Sequence, residues 1–240
     1  MAEPRWQRVL IKLSGEAFAG GRDFGLDPGT FRFVAGEIAD VHSAGVEVAI
    51  VVGGGNVMRG AVAAEGGMER VAADGIGMLA TVQNALALQD ALEKLSIDTR
   101  VQTAIPMSTL AEPFIRRRAI RHLEKQRVVI LAAGTGNPYF STDTAAVLRA
   151  LEIKAGAVLK ATNVDGVYDK DPRKHSDAKR FTSLDYDYCL DHKLGVMDMT
   201  AFALCAENDL PIVVFSVAEK GNVRRAIFGD EIGTVVARKS

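Results

Sequence analysis

Two lysines stand where a charged side chain is unusual. Lys12 lies within the apolar run RVLIKLSG and Lys160 within AVLKAT, and each precedes a candidate phosphate-binding turn. Buried lysines are rare unless they are paired. One alternative is a lysine at a strand end whose ammonium group reaches the solvent. If both ammonium groups instead converge on one phosphoryl group, they would neutralise the charge that develops during its transfer.

Two aspartates are candidates to hold these lysines or a magnesium ion. Asp143 opens a predicted helix directly after a turn, and Asp198 lies in GVMDMTA before another predicted helix. Either residue could instead act only as a helix cap. Asp143 is the stronger candidate because it is embedded in a loop rich in backbone NH groups and hydroxyls. The predicted catalytic residues are Lys12, Asp143, Lys160 and Asp198.

Three glycine-rich turns follow predicted strands, at the edge where open α/β sheets bind ligands. The turns read KLSG, GGGN and GTGNP and begin at residues 12, 53 and 134. Glycine permits positive φ angles and close approach of a ligand to the backbone, and successive NH groups create an anion site. One such turn could serve only to end a strand. Three at one edge predict one or two ligands that carry several phosphates.

Two other nucleotide-binding motifs are excluded. The sequence contains no GxxxxGK[ST], so the protein is not a P-loop enzyme. In the segment that starts at Gly53, Met58 stands where the dinucleotide fingerprint requires its third glycine. Asp74 lies at about the right distance for the ribose acid, but it does not follow a strand. A dehydrogenase-type cofactor site is therefore excluded as well.

Apolar periodicity predicts about eight strands that alternate with helices. Asp27-Pro28 is typical of a helix start, and near-continuous apolar runs are typical of strands covered on both faces. The predicted fold is a three-layer α/β/α sandwich on a mostly parallel sheet, forming a single domain over residues 1–240. The predicted strands are 8–13, 46–52, 100–104, 127–133, 157–161, about 180–184, 211–216 and 233–237, and the predicted helices are 28–43, 74–95, 112–126, 142–152, about 198–208 and one from about 221.

Composition limits the partners of the chain. A net charge of −1 and a hydrophobic content of 48% fit a globular protein with no global attraction to nucleic acid or an anionic membrane. The N-terminus lacks the apolar region of a signal peptide, and no apolar run reaches the roughly 18 residues of a membrane span. The cysteines, Cys189 and Cys205, have no metal-binding spacing. We therefore expect a cytoplasmic protein with reduced thiols and no membrane or nucleic-acid partner.

Five stretches in combination resemble the bacterial UMP kinases of the amino acid kinase family. They are KLSGE (12–16), VVGGGNVMRG (51–60), ADGIGMLAT (73–81), GTGNPYFSTDTAA (134–146) and LKATNVDGVYDKDP (159–172). The resemblance covers nearly the whole chain. It implies transfer of the γ-phosphoryl group of ATP to UMP, giving UDP and ADP for pyrimidine nucleotide biosynthesis. It also implies a requirement for Mg²⁺, carried mainly by the ATP.

The resemblance implies which residues bind each nucleotide. The ATP contacts are Lys12, Leu13, Ser14, Gly15, Gly55, Arg59, Thr162, Asn163, Tyr168 and Asp171. The UMP contacts are Gly54, Asp74, Thr135, Gly136, Asn137, Pro138, Tyr139, Phe140, Ser141 and Thr142, with Asp74 on the ribose. Many relatives have a lysine where Asn163 stands, so one charged contact to ATP is expected to be absent.

Regulation and assembly are also implied by the resemblance. It predicts activation by GTP, inhibition by UTP and a homohexamer. The segment linked to the GTP response corresponds to Gly20, Gly21, Arg22, Asp23, Phe24 and Gly25.

Two other functions stay open at the level of sequence. A kinase of the same fold could phosphorylate a carboxylate or a carbamate instead of a nucleotide. A non-catalytic nucleotide sensor could use the same turns. The presence of Lys12, Asp143 and Lys160 argues against a sensor, because a sensor needs no groups that stabilise a transition state.

Overall fold

One large β-sheet forms the centre of the protein. The computed structural model describes residues 3–58, 66–172, 174–192, 194–195 and 197–238, and within these ranges nine strands form this sheet while two more pair as a separate antiparallel ribbon. The strands of the sheet are β1 (Arg8–Leu13), β2 (Glu47–Val52), β3 (Thr99–Thr103), β4 (Glu112–Pro113), β5 (Val128–Ala132), β6 (Val158–Thr162), β9 (Ser183–Leu184), β10 (Ile212–Ser216) and β11 (Thr234–Val236). The ribbon consists of β7 (Val167–Tyr168) and β8 (Arg180–Phe181).

The sheet is almost entirely parallel. Its strand order is β4-β3-β5-β2-β1-β6-β10-β11-β9, and only β10 and β11 pair antiparallel. The helices that connect these strands are α1 (Pro28–Ser43), α2 (Arg70–Glu93), α3 (Arg116–Glu124), α4 (Thr142–Ile153), α5 (Tyr186–Asp191), α6 (Met199–Asn208) and α7 (Asn222–Phe228), and a 3₁₀ helix (Gly15–Ala19) follows β1.

Helices cover both faces of the sheet. Successive strand residues point to opposite faces. In β1, Val9 and Ile11 pack in the core shared with α1, α2 and α7, whereas Leu10 packs in the core shared with α3, α4, α5 and α6. Both cores contain fully buried side chains, which explains why the central strands read as continuous apolar runs. The predicted three-layer α/β/α sandwich is confirmed.

The differences from the predicted elements are local. The helix predicted from residue 112 begins at Arg116, because Glu112–Pro113 instead pairs with the end of β3. The single strand predicted near 180–184 is two strands, since Arg180–Phe181 pairs with β7 while Ser183–Leu184 joins the large sheet. The prediction missed α5, a helix of six residues that is too short for a periodic pattern.

The long helix α2 is a core helix of this fold. By length and composition alone it could also cross a membrane. It packs against α1, β3 and β5. Asn84, near its middle, is fully buried and donates a hydrogen bond to Gly53 O in the turn after β2. A polar side chain satisfied by a neighbouring turn is typical of a helix packed within a globular domain.

Candidate active site

The turns predicted from the glycine motifs lie at one edge of the sheet. Strands β5, β2, β1 and β6 are consecutive neighbours and all parallel, so their carboxyl ends point the same way. The first turn is the segment 12–15, the second is 53–56, and the third is the whole loop 133–141 between β5 and α4. The first and second turns are in direct contact. A Cβ atom at Gly15 would lie 2.4 Å from Gly55 N, and one at Gly53 would lie 2.6 Å from Gly15 N. Glycine is required at both positions because another side chain would drive the two turns apart.

The two unusual lysines face each other across adjacent strands. Lys12 of β1 and Lys160 of β6 are direct partners in the strand register. Both point to the face of the sheet that α4 covers, where Asp143 lies in the first turn of that helix. Asp143 bridges the two lysines, with Lys12 Nζ 2.8 Å from Oδ1 and Lys160 Nζ donating to Oδ2 at 2.6 Å. The three side chains are largely buried, so the lysines do not simply extend into solvent.

The electrostatics of this cluster favour a bound anion. Burial acts to raise the pKa of the Asp143 carboxyl, but the ammonium groups of Lys12 and Lys160 outweigh it and hold the pKa below its ordinary value. Burial lowers the pKa of the Lys160 ammonium group, and the ion pair with Asp143 offsets only part of that effect. One carboxylate thus balances two ammonium groups, and the three residues together carry a net positive charge.

Asp198 joins the start of α4 to the start of α6. Its side chain accepts a hydrogen bond from Ala201 N at 2.7 Å and caps α6. It also accepts from Thr144 Oγ1 at 2.9 Å and makes a short hydrogen bond with Ser141 Oγ. Ser141 Oγ in turn caps α4. Asp198 therefore combines a helix-capping role with a direct contact to the third turn.

A cavity of about 690 Å³ opens beside the lysines. It is lined by six of the residues predicted to bind ATP, namely Lys12, Ser14, Thr162, Asn163, Tyr168 and Asp171, and also by Lys160. The side chain of Leu13 is buried in the core, so only its backbone can serve a ligand. Gly55 lines the neighbouring cavity instead, and Arg59 lies outside the described residues. The sequence prediction missed several lining residues, including Glu16, Val164, Gly166 and Lys170.

A second cavity, of about 470 Å³, is lined in part by Thr142 and Thr144, the residues on either side of Asp143. It is lined by eight of the residues predicted to bind UMP, namely Gly54, Asp74, Thr135, Asn137, Tyr139, Phe140, Ser141 and Thr142. Gly136 and Pro138 do not line it. Gly136 has a φ of +80° and packs against Ala104, so it shapes the turn. The prediction missed Arg70, Met78, Thr81, Thr144 and Thr200, which also line this cavity.

Helix α2 holds the third turn in place. Asp74 Oδ2 accepts a hydrogen bond from Tyr139 N at 2.8 Å. Two helical turns further on, Thr81 Oγ1 accepts from Ala133 N at 2.7 Å. Residues 74 and 81 lie on the same face of a helix because seven residues make about two turns. The spacing of seven residues from Asp74 is the sequence signal that could have identified Thr81 as a residue of the site.

The segment 20–25 contacts the second turn through Asn56. Gly25 N donates to Asn56 O at 2.7 Å, and Asn56 Nδ2 donates to Gly25 O at 2.8 Å. Phe24 is 76% exposed. The segment is therefore anchored at its end and open to solvent in its middle.

Metal ligands are sparse among the described residues. Within those ranges no group of three or more histidine, cysteine, aspartate or glutamate side chains is placed to hold an ion. Both carboxylate oxygens of Asp143 already face lysines, and those of Asp198 accept hydrogen bonds from Ser141, Thr144 and Ala201 N.

Both lysines line the larger cavity, and Thr142 and Thr144, which flank Asp143, line the smaller one. Two neighbouring cavities at a buried cationic cluster define a group-transfer site, in which a phosphoryl group can pass from one ligand to the other. The sequence matches the model of the Amino acid kinase family over residues 7–216. The chain therefore belongs to the amino acid kinase family.

The solved structures that share this fold include two UMP kinases and one uridylate kinase. The UMP kinase from Bacillus anthracis is 39% identical, with a TM-score of 0.94, and the match covers 98% of this chain and 97% of that one. The UMP kinase from Ureaplasma parvum is 36% identical, with a TM-score of 0.91 and coverage of 98% and 100%. The uridylate kinase from Archaeoglobus fulgidus is 28% identical, with a TM-score of 0.74 and coverage of 95% and 99%.

Proposed function

We propose that this protein is a UMP kinase, which transfers the γ-phosphoryl group of ATP to UMP and yields ADP and UDP for pyrimidine nucleotide synthesis. The observation that carries the proposal is the pair Lys12 and Lys160, bridged by Asp143. Both lysines line the larger cavity, and the two sequence neighbours of Asp143 line the smaller one. The similarity to two bacterial UMP kinases over their whole length supports the choice of acceptor.

ATP occupies the larger cavity in this proposal. Lys12 and the backbone of Leu13, Ser14 and Gly15 bind its phosphates, since NH groups that follow a strand favour anions. The base and ribose lie against Thr162, Asn163, Tyr168 and Asp171. The resemblance adds two ATP contacts, Gly55, which lines the smaller cavity, and Arg59, which lies outside the described residues. Because Asn163 is uncharged, this segment interacts with ATP through hydrogen bonds rather than through a lysine.

UMP occupies the smaller cavity. Gly54 and the turn from Thr135 to Thr142 surround it, with NH groups and hydroxyls directed at the phosphate. Tyr139 and Phe140, both more than half exposed, provide aromatic surface for the uracil. Asp74 accepts a hydrogen bond from the ribose.

The reaction needs positioning and charge neutralisation more than proton transfer. An ionised oxygen of the UMP phosphate attacks the γ-phosphorus of ATP, and the bond from that phosphorus to the β,γ-bridging oxygen breaks. Lys12 and Lys160 neutralise the charge on the transferred group and on the departing ADP. Asp143 holds both lysines in place, and Asp198 orders the start of α4 through Ser141 and Thr144. A magnesium ion carried by the ATP phosphates would neutralise part of their charge.

A substrate panel tests the proposal. ADP formation is measured with a coupled assay in the presence of ATP, Mg²⁺ and either UMP, CMP, glutamate or carbamate. We expect UMP to give the highest kcat/KM. A preference for glutamate or carbamate would overturn the proposal in favour of the carboxylate or carbamate kinases of the same fold. Binding of nucleotide with no turnover would identify a sensor instead.

Asp143→Ala tests the catalytic cluster. Without the carboxylate, the two ammonium groups repel each other and lose their alignment. We expect kcat to fall by roughly three orders of magnitude, with the affinity for UMP little changed, as measured by titration calorimetry. Near-normal turnover would refute the role of Asp143.

The proposal extends to the whole protein as a single catalytic domain that acts in the cytoplasm as a homohexamer, with activation by GTP and inhibition by UTP. Buried reduced thiols fit that compartment. Exposed apolar side chains on and near α2, among them Val71, Leu79 and Leu110, offer surface that an assembly would cover. The anchored segment from Gly20 to Gly25 is the candidate site of the GTP response.

A further inference from the structure

Arg70 lies at the edge of the smaller cavity. It is the first residue of α2, one turn before Asp74, and its side chain lines the cavity. Its Nε donates to Asp74 Oδ2 at 2.8 Å. The Arg70 side chain is 42% exposed, whereas that of Asp74 is only 14% exposed. The guanidinium group therefore covers a carboxylate at the mouth of the cavity.

The same carboxylate oxygen has a second donor. Tyr139 N also donates to Asp74 Oδ2, at 2.8 Å. Among the described residues, the hydrogen bonds made by the Asp74 carboxylate thus converge on Oδ2. A carboxylate held through one oxygen has a fixed orientation and presents its other oxygen, Oδ1, as an acceptor.

Tyr139 is itself held in an unfavourable backbone conformation. Its φ is +70°, in the left-handed region that a bulky residue rarely adopts. Two contacts act on it from α2, the hydrogen bond from its N–H to Asp74 and the Arg70 guanidinium carbon, which lies 5.4 Å from the centre of its ring. Arg70 therefore contacts two residues at the mouth of the cavity, Asp74 of α2 and Tyr139 of the third turn.

We propose that Arg70 is a positioning residue that makes the acceptor site selective for ribonucleotides. It occupies Asp74 Oδ2 together with Tyr139 N, directs Oδ1 to the sugar hydroxyls and keeps Tyr139 over the cavity. The inference rests on the proposed function, in which Asp74 accepts a hydrogen bond from the ribose of UMP. A 2′-deoxyribonucleotide has one hydroxyl fewer to offer this oxygen, so it benefits less from the alignment.

Two variants separate the parts of this role. Arg70→Met keeps an unbranched side chain but removes the charge and the donors, while Arg70→Lys keeps a charge and a donor but loses the planar guanidinium group. Steady-state kinetics are measured with UMP and with dUMP. For Arg70→Met we expect KM for UMP to rise about tenfold, the worth of one partly exposed charge-assisted hydrogen bond, with kcat nearly unchanged. KM for dUMP rises less, so the preference for UMP falls, and Arg70→Lys restores the preference only in part.

Lys94→Met is the matched control, because Lys94 also forms an ion pair within one turn, with Asp90, at the other end of α2. It is expected to leave both KM values unchanged. Unchanged KM in Arg70→Met, or an equal loss with UMP and dUMP, would overturn the inference while leaving the kinase function intact. A wild-type protein that does not phosphorylate UMP would instead overturn the proposed function, and this inference with it.

Discussion

At the scale of single residues, chemistry depends on which side chains the fold brings into contact. The unusual apolar surroundings of Lys12 and Lys160 are visible in the sequence, as is the position of Asp143 after a loop. Their meeting depends on β1 lying directly beside β6, a pairing between strands almost 150 residues apart in register. Sequence patterns indicate strands but not their order in the sheet, so the ion-pair geometry could not be read from the residues alone.

Lys160 gives a testable pH dependence. Burial lowers the pKa of its ammonium group, and Asp143 offsets only part of this. The ammonium charge is present below the folded-state pKa and is lost as pH rises through it, at a lower pH than for an exposed lysine, which titrates at about 10.4. Asp143 has its pKa lowered, so it stays ionised across the neutral range.

We therefore expect log kcat/KM for ATP to decline on the alkaline side at a pH below that of an ordinary lysine. Arginine keeps its charge at all accessible pH values, so Lys160→Arg should move this decline to higher pH even if its overall rate is lower. Lys94→Arg, at an exposed site, is the control. An alkaline limb that is the same in wild type and Lys160→Arg would show that another group titrates.

At the scale of elements, α2 organises the turns of the active site. Asp74 and Thr81 hold the third turn, and Asn84 reaches the second. Asn84 and Asn56 form a buried reciprocal pair, with Nδ2 of each donating to Oδ1 of the other. The second hydrogen of each amide group goes to a backbone carbonyl, Gly53 O for Asn84 and Gly25 O for Asn56. The pair thus joins the helix, the second turn and segment 20–25.

Replacing Asn84 should damage both stability and activity. Asn84→Ala removes the donor to Asn56 Oδ1, the donor to Gly53 O and one of the two acceptors of Asn56 Nδ2, so we expect the free energy of unfolding to fall by about 2–4 kcal/mol. Because Gly54 and Gly55 follow Gly53 and line the smaller cavity, KM for UMP should also rise. Urea unfolding and steady-state kinetics measure the two effects. Asn208→Ala, at an exposed helix end, is the control, and an Asn84 variant as stable as this control would contradict the account.

Helix α2 also shows which features of the site the sequence predicts and which it does not. Apolar periodicity predicts the helix and locates most of it, although its start lies four residues before the predicted one. The polar residues Thr81 and Asn84 interrupt the apolar pattern of the helix. Their roles are not visible in the sequence, because their hydrogen-bond partners lie in turns distant in sequence. Arg70 was missed because it lies before the predicted start of the helix at residue 74, although its spacing of four residues from Asp74 is typical of an ion pair on a helix.

At the scale of the whole molecule, successive residues of each central strand are buried on opposite faces of the sheet. Helices cover both faces, and this gives the three layers. The fold class follows from apolar runs that alternate with helices, and the structure confirms it. Short elements such as β4 and α5 were not predictable, because two to six residues carry no reliable period and form only through tertiary pairing. The cavities likewise depend on how loops meet, which no single segment encodes.

The cysteines report on the integrity of the folded molecule. Cys189 belongs to α5 and Cys205 to α6, and both are fully buried in the core. Burial raises the pKa of Cys189 to about 11 and that of Cys205 to about 12. At pH 8 we expect both thiols in the native protein to react with a disulfide reagent at least roughly a hundredfold more slowly than an exposed cysteine. In denaturant both should react fully. Fast reaction of the native protein would contradict the packing of these helices.

The central claim is that a phosphoryl group passes between two nucleotides across the cluster of Lys12, Asp143 and Lys160. A crystal structure with UMP and a non-hydrolysable ATP analogue tests it most directly. The account predicts UMP in the turn from Thr135 to Thr142 and the γ-phosphate of the analogue within about 3 Å of both lysine ammonium groups. Nucleotides bound elsewhere, or a γ-phosphate that neither lysine contacts, would contradict it.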